Sequence, residues 1–281
     1  LEIEKVTKDY YLGVAINQNS IIPRWDGIDC EWSNNKRIEH KNELQPLMDN
    51  KNFWWLIGKY IADGNIRTQG GIVIAIGKHK LDEFIASIGD IFNYNIVEER
   101  TAYKCHIPLK ELEKFVLQFG TVAKNKRLTD TIIDLPIGLL ESFLDGYMSG
   151  DGYYNKKNRR YKYCSISREL IVGLGQCVAK VYKTPYCMYK TKRPKKTKIE
   201  GRIVNQHDTY ELTFKKDVRK QDNAFYEDGY IWYPFQSIKE NGKEEVFDIE
   251  LENAQSFTVQ NTIVHNCQDI SVAGLGKGII K

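Results

Sequence analysis

Two nine-residue segments constrain this chain more than any other feature. Leu56-Ile-Gly-Lys-Tyr-Ile-Ala-Asp-Gly64 and Leu144-Asp-Gly-Tyr-Met-Ser-Gly-Asp-Gly152 match in register, 88 positions apart. In each, small residues fall four apart, Gly58 with Ala62 and Gly146 with Gly150, and so share one helix face. Two such faces can cross with their backbones nearly in contact. Each helix then delivers one aspartate, Asp63 or Asp151, immediately before a glycine. A glycine there suits a left-handed helix stop, which is the expectation for Gly64 and Gly152. One copy is readily a core helix with an incidental acid. Two copies in register call for a shared purpose.

Two aspartates at helix C-termini oppose the helix dipole and each other. Bringing them together calls for a compensating cation, and an oxygen-only ligand set favours Mg²⁺. Asp63 and Asp151 are therefore candidate metal ligands and candidate catalytic residues. The charge distribution suggests their substrate. The formal net charge is only +4, yet Tyr153 to Lys220 holds 19 Lys and Arg against 5 Asp and Glu. Within it, Arg159-Arg160-Tyr161-Lys162-Tyr163 and Tyr189-Lys190-Thr191-Lys192-Arg193 are strand-like and interleaved with tyrosine. Such strands can follow a phosphate backbone, which makes Arg159, Arg160, Lys162, Lys190, Lys192 and Arg193 candidate DNA-binding residues. Acids that hold a divalent metal near a basic surface point to phosphodiester hydrolysis.

The order of predicted elements repeats with the motif. Phe53 to Ala62 reads as an apolar helix stopped at Gly64, and Ile72 to Ile76 as a β-branched strand. Leu81 to Phe92 has its apolar residues at helical spacing, Tyr103 to Ile107 is strand-like, and Leu109 to Phe119 is helical. The pattern then restarts with a helix from Pro136 to Gly150 and a strand from Tyr161 to Ile166. A helix from Arg168 to Tyr182 follows, then strands from Tyr186 to Lys192 and Thr209 to Phe214. Residues Leu1 to about Asn50, and Tyr226 to Asn266, read as short strands and loops.

The paired motif resembles the dodecapeptide (LAGLIDADG, DOD-type) homing endonucleases. The resemblance implies an α+β fold with two pseudo-symmetric αββαββ-type halves, at about 46–134 and 135–220. It implies a monomeric enzyme that cuts both strands of a double-stranded DNA target site with Mg²⁺. Asp63 and Asp151 match the family's penultimate acid, which binds metal and activates water. Lys124-Asn-Lys-Arg-Leu128 precedes the second motif where the family carries a basic residue, and Lys126 takes that role, stabilising charge in the transition state. The helices depart from the family consensus at Lys59-Tyr60 and Tyr147-Met148.

A second resemblance closes the chain. Val246-Phe-Asp-Ile-Glu-Leu-Glu252, Ser256-Phe257 and Ile263-Val-His-Asn-Cys267 resemble the C-terminal splicing blocks of an intein, implying a partial all-β Hint domain. Asn266 would cyclise onto its own carbonyl, His265 would polarise that carbonyl, and Cys267 would accept the upstream segment. Asp248 matches the acid that assists, while Gln255 stands where many relatives have histidine. The implied organisation is the end of an N-terminal splicing region with its linker at 1–45, the endonuclease at 46–220 and the C-terminal splicing region at 221–266. From Cys267-Gln-Asp to Lys281, the chain resembles the catalytic loop of cytosine-5 DNA methyltransferases, the start of a C-extein. No N-terminal nucleophile or Thr-x-x-His motif precedes Phe53. The expected partners thus include a missing N-terminal intein segment and the exteins. Two other readings remain: a degenerate endonuclease that binds DNA without cutting it, and a methyltransferase fragment.

Composition removes other classes. No run approaches the ~20 apolar residues of a membrane-spanning helix, and no membrane partner is expected. The six cysteines include no Cys-x-x-Cys pair, which argues against a structural zinc site. With no secretory signal visible, the expectation is a cytoplasmic setting.

Overall fold

The computed structural model describes residues 9–32, 37–67, 70–199, 202–217, 223–237, 256–259, 262–265 and 277–278, and the structural statements below are made of these. The chain enters through β1 (Tyr11–Ala15) and a hairpin of β2 (Ile28–Trp32) with β3 (Arg37–Lys41). It then builds one succession of elements twice. The first is α1 (Lys51–Asp63), β4 (Gly64–Ile66), β5 (Ile72–Gly77), α2 (Leu81–Ile88), β6 (Asn95–Glu98) and β7 (Ala102–Ile107). After α3 (Lys110–Val116) and a single turn, α4 (Asp130–Ile133), the second begins. It runs α5 (Ile137–Asp151), β8 (Gly152–Asn155), β9 (Arg160–Ser165), α6 (Arg168–Tyr182) and β10 (Tyr186–Thr191). A hairpin of β11 (Lys196–Ile199) and β12 (Arg202–Asn205) interrupts it before β13 (Thr209–Phe214).

The two sheets have one topology. Their antiparallel strand orders are β4-β5-β7-β6 and β8-β9-β13-β10, first, second, fourth and third in both. The strand registers are offset by one residue. Gly64 pairs with Ile74 of β5, and Gly152, 88 residues on, pairs with Tyr163 of β9.

Local chemistry explains the helix boundaries. The Asn50 side chain caps α1 by accepting from the Asn52 and Phe53 amides. Ser167 caps α6 by accepting from Leu170 N, and its hydroxyl donates to the Lys126 carbonyl at 2.6 Å. Residues Phe53 to Ile61 of α1 are buried without a break, as a helix must be when other elements surround it. One core then spans both halves, from Phe53, Ile74 and Phe115 to Leu140, Tyr163 and Leu174.

Two expectations are corrected. The helix read over Leu81 to Phe92 stops at Ile88, because Gly89 turns the chain at φ +54°. Ile91 and Phe92 still pack against the core, from an irregular segment whose apolar spacing only mimics a helix. Gly64 and Gly152 are extended, at φ −100° and −99°, not left-handed. Each helix passes directly into a strand. Glycine is required there for space: a Cβ at Gly64 would lie 2.3 Å from the Tyr60 ring, and one at Gly152 2.3 Å from the Met148 sulfur.

A third sheet joins distant parts of the chain. Its order is β14 (Phe225–Glu227), β15 (Tyr230–Pro234), β1, β17 (Thr262–His265) and β16 (Ser256–Val259), with β18 (Lys277–Gly278) also on β17. β1 pairs with β15 over five residues and meets β17 at Val14 and Thr262. The sheet docks on the second half through Ile16 and Ile231, which pack with Ala179 of α6. The Tyr233 hydroxyl accepts from Tyr186 N at 2.9 Å and donates to Tyr186 O at 3.0 Å.

Candidate active site

The helices α1 and α5 cross at their small residues, and the contact is reciprocal. A Cβ at Gly58 would stand 2.0 Å from the Phe143 carbonyl oxygen, and one at Gly146 2.0 Å from that of Trp55. Phe143 lies 88 residues after Trp55, as Gly146 does after Gly58, so the crossing has a local two-fold axis. Further along, a Cβ at Gly150 would meet the Ala62 methyl at 2.4 Å and an Asp63 carboxylate oxygen at 2.5 Å. Asp63 therefore rests against the α5 backbone one residue from Asp151. β4 and β8 leave from these two aspartates, so the acid pair sits where both sheets begin.

The negative helix ends are closed by lysines. Lys126 is buried and donates to the carbonyls of Ile61 at 2.7 Å, Gly64 at 3.1 Å and Tyr60 at 3.3 Å. It caps α1, with its ammonium 5.5 Å from the Tyr60 ring centroid. Burial lowers it to about 8, against the opposing pull of Asp151 and Asp63. The end of α5 is held by Lys59 and Lys80, which donate to the Ser149 carbonyl at 3.3 and 2.5 Å. Lys59 also binds Asp63 Oδ2 at 2.6 Å. Asp151 is exposed as a whole residue at the last position of α5. Burial, with Asp63 beside it, raises it to about 6.

Asp63, Asp151 and Lys126 thus converge from separate elements. Lys126 is neither a solvated loop lysine nor a side chain open to solvent: it holds the end of the helix that delivers Asp63. Sequence reasoning passed over Lys59 and Lys80. The four-residue spacing of Lys59 and Asp63 was a usable signal, whereas nothing local marks Lys80. The expected compensation of the two carboxylates comes in part from these lysines. Among the described residues, no group of three His, Cys, Asp or Glu could hold a metal ion. Two carboxylates suit a cation whose other ligands are water or phosphate oxygens.

The six predicted DNA-binding residues do not form one free row. Register places Arg160 and Lys162 of β9 on the sheet face away from the core residue Tyr163, and Lys190 of β10 on the opposite face. Glu211 of β13, only 3% exposed in its side chain, binds both Lys162 and Arg193, the latter at 3.1 Å. Burial opposes its charge, but hydrogen bonds from Lys162 and Tyr189 outweigh that and hold Glu211 below the usual carboxylate range. Lys190 pairs with Asp208 at 3.1 Å. Arg159, at φ +54° in the β8–β9 turn, lines a recess of about 220 Å³ with Lys157, Lys215 and Lys216. Among the described residues, no ion pair involves Lys192, Lys195, Lys196 or Lys198, which lie on or beside the β11–β12 hairpin. Asp248, Asn266 and Cys267 fall outside the described residues, and of His265 only the backbone in β17 is described.

No protein-family model matches the chain. Among curated proteins it is 24% identical over 270 residues to a DNA polymerase of Thermococcus hydrothermalis, covering 83% of this chain and 16% of that one. It is 26% identical over 269 residues to an iron–sulfur cluster assembly SufBD family protein of Mycobacterium tuberculosis, covering 87% and 31%. The chain therefore spans less than a third of the length of these relatives. Among solved structures it is similar to variants of the homing endonuclease I-DmoI, with a TM-score of 0.39 and 13% identity over 59% of this chain and 83% of that one. The homing endonuclease I-WcaI bound to its DNA recognition sequence gives 0.39 and 12%, over 59% and 76%. No helix of the described residues is long and apolar enough to cross a membrane. The chain is a mixed helix-and-sheet protein with an internal repeat, and homing endonucleases are among the structures similar to it.

Proposed function

We propose that this chain is a site-specific DNA endonuclease of the DOD type, embedded in an intein. One observation carries the reading: two helices cross at glycine and present one aspartate each where two equivalent sheets begin. The reading is supported by a pair of acids at the start of two sheets, one of which carries Arg160, Lys162 and Arg193 on or beside its strands. Asp63 and Asp151 would hold Mg²⁺, which when bound would polarise a phosphodiester and acidify a water. The chain's own residues fix that geometry. Lys126 holds the α1 end, Lys59 holds Asp63, and the basic sheet and hairpin bind the DNA backbone. In the reaction, a water oxygen bonds to phosphorus as a phosphorus–oxygen ester bond breaks, and the leaving oxygen takes up a proton.

The intein reading has its own support. Relatives with unrelated host functions, a DNA polymerase and an iron–sulfur assembly protein, match most of this chain with a minor part of theirs. A segment shared among such hosts is explained by an inserted element, and not by the hosts' activities. The pairing of β1 with β17 agrees with splicing segments meeting across the endonuclease. The methyltransferase C-extein remains a proposal from Cys267 onward.

Plasmid cleavage tests the endonuclease reading, using the uninterrupted methyltransferase sequence around the Cys267 junction as target. Linear product with Mg²⁺ and none with EDTA is the expected result. Asp63→Asn and Asp151→Asn should each abolish double-strand cleavage and leave DNA binding within a few-fold. Full cleavage by either variant would sink the two-acid site.

A further inference from the structure

The local two-fold axis of the helix crossing is broken beside the acids. Lys59 of α1 corresponds to Tyr147 of α5, 88 residues on. The Lys59 ammonium, on a side chain only 3% exposed, reaches Asp63 Oδ2 at 2.6 Å and the Ser149 carbonyl of the facing helix at 3.3 Å. Tyr147 cannot do the same for Asp151. It is uncharged, and its hydroxyl is committed to the Cys164 carbonyl at 2.9 Å. Among the described residues, Asp151 has no cationic partner within ion-pair distance. The two carboxylates are thus chemically unlike, although the backbones that carry them are nearly equivalent.

We propose that Lys59 is a resident counter-cation of the acid pair: it occupies Asp63 and ties it to α5, leaving Asp151 as the carboxylate that receives a divalent cation first. This rests on the endonuclease reading and deepens it. A buried ammonium is costly unless it is paired and hydrogen-bonded. Lys59 has both kinds of partner, and they belong to the two acid-bearing helix ends. Its retention holds the site assembled without metal. A cation arriving at Asp63 must compete with an ammonium already in contact, whereas at Asp151 it meets only the longer-range field of Lys126 and Lys59. Lys59 is therefore a positioning residue whose effect on cation binding is directional.

Calorimetric titration of the full chain with Ca²⁺ alone tests this, since it needs neither turnover nor DNA. In the wild type, Asp151→Asn should weaken Ca²⁺ binding at least about tenfold and Asp63→Asn less than about threefold. Lys59→Met should remove the difference, so that Asp63→Asn in that background also costs about tenfold. Lys59→Arg should keep the wild-type ranking. Wild-type melting temperature should be the same in EDTA and in buffer alone. If Lys59→Met does not fold, the ranking of the two aspartate variants decides. Equal losses in the wild type, or a ranking untouched by Lys59→Met, would overturn this inference and leave the endonuclease reading standing. A wild type that binds no Ca²⁺ without DNA would also overturn this inference, while the endonuclease reading stands or falls by the plasmid assay.

Discussion

Asp151 and Lys126 are displaced in opposite directions by the same burial, and each displacement has a sign in stability. Asp151 stands at about 6 against an ordinary value near 4. Between those values the native state binds more protons than the unfolded state, so this group makes stability fall as pH rises from about 4 to about 6. Lys126 stands at about 8 against about 10.5, so it makes stability rise as pH climbs between those values. Asp151→Asn should therefore raise the melting temperature at pH 7 to 8, and the gain should vanish by about pH 4. A circular-dichroism melt series checks it; a gain independent of pH would mean that Asp151 is not displaced upward. Metal-dependent cleavage should in turn fall below about pH 6, as Asp151 protonates. Both aspartates were legible in the sequence because the repeat marks them twice. The Lys59–Asp63 contact was open to the same reading from its four-residue spacing, but the second partner, Ser149, belongs to a helix that sequence alone does not bring alongside.

At the scale of elements, small-residue spacing gave a geometric demand that the helices meet closely. Gly58→Ala or Gly146→Ala would drive a methyl into a carbonyl oxygen and force the helices apart. Each should cost about 1–3 kcal/mol, the usual range for overpacking, measurable by urea unfolding. Cleavage should suffer more than stability, since separation of the helices separates the acids. Gly138→Ala at the exposed start of α5 serves as control, because a Cβ there meets only the Lys51 side chain at 3.7 Å. The helices over Phe53–Ala62 and Arg168–Tyr182 were legible from apolar periodicity, with ends set by Asn50 and Ser167. Leu81–Phe92 was misread because Gly89 breaks a spacing that otherwise continues. The basic strands were legible as charged, but not as partly neutralised. Glu211 lies far in sequence from Lys162, and only the β9–β13 register joins them. Neutralising Lys195, Lys196 or Lys198 should lower the log–log salt slope of DNA binding by about 0.9 for every phosphate that the protein no longer neutralises. Lys162→Ala should change it less and destabilise the fold more, by leaving buried Glu211 short of a partner. Equal slopes across all four variants would place the DNA elsewhere.

At the scale of the whole molecule, β1 and β17 lie on one sheet although the entire repeat separates them in sequence. The internal repeat lies between them in sequence and docks on that sheet through α6 and β10. The internal repeat made the two halves legible. The shared sheet was not legible, since nothing in the spacing of Tyr11–Ala15 names Thr262–His265 as a neighbour. This arrangement makes the splicing proposal testable apart from cleavage. Cyclisation of Asn266 needs its own side-chain amide, a polarised carbonyl and a donor such as His265, all local groups. Its amide nitrogen attacks the Asn266 carbonyl carbon, the bond to Cys267 breaks, and Cys267 leaves with a free amino group. Slow release of the Cys267–Lys281 peptide is thus the expected behaviour of the purified chain. Adding an N-terminal intein segment fused to a reporter should transfer that reporter to the Cys267 thiol and then to its amine. Asn266→Ala should stop peptide release yet permit the thioester-linked branched species, while Asp63→Asn should leave both reactions unchanged. Mass spectrometry separates the free peptide, the branched species and the ligated product. Peptide shed by the Asn266→Ala chain at the wild-type rate would mean that the terminus breaks by some route other than succinimide formation, and the splicing reading would fall while the two-acid site stood untouched.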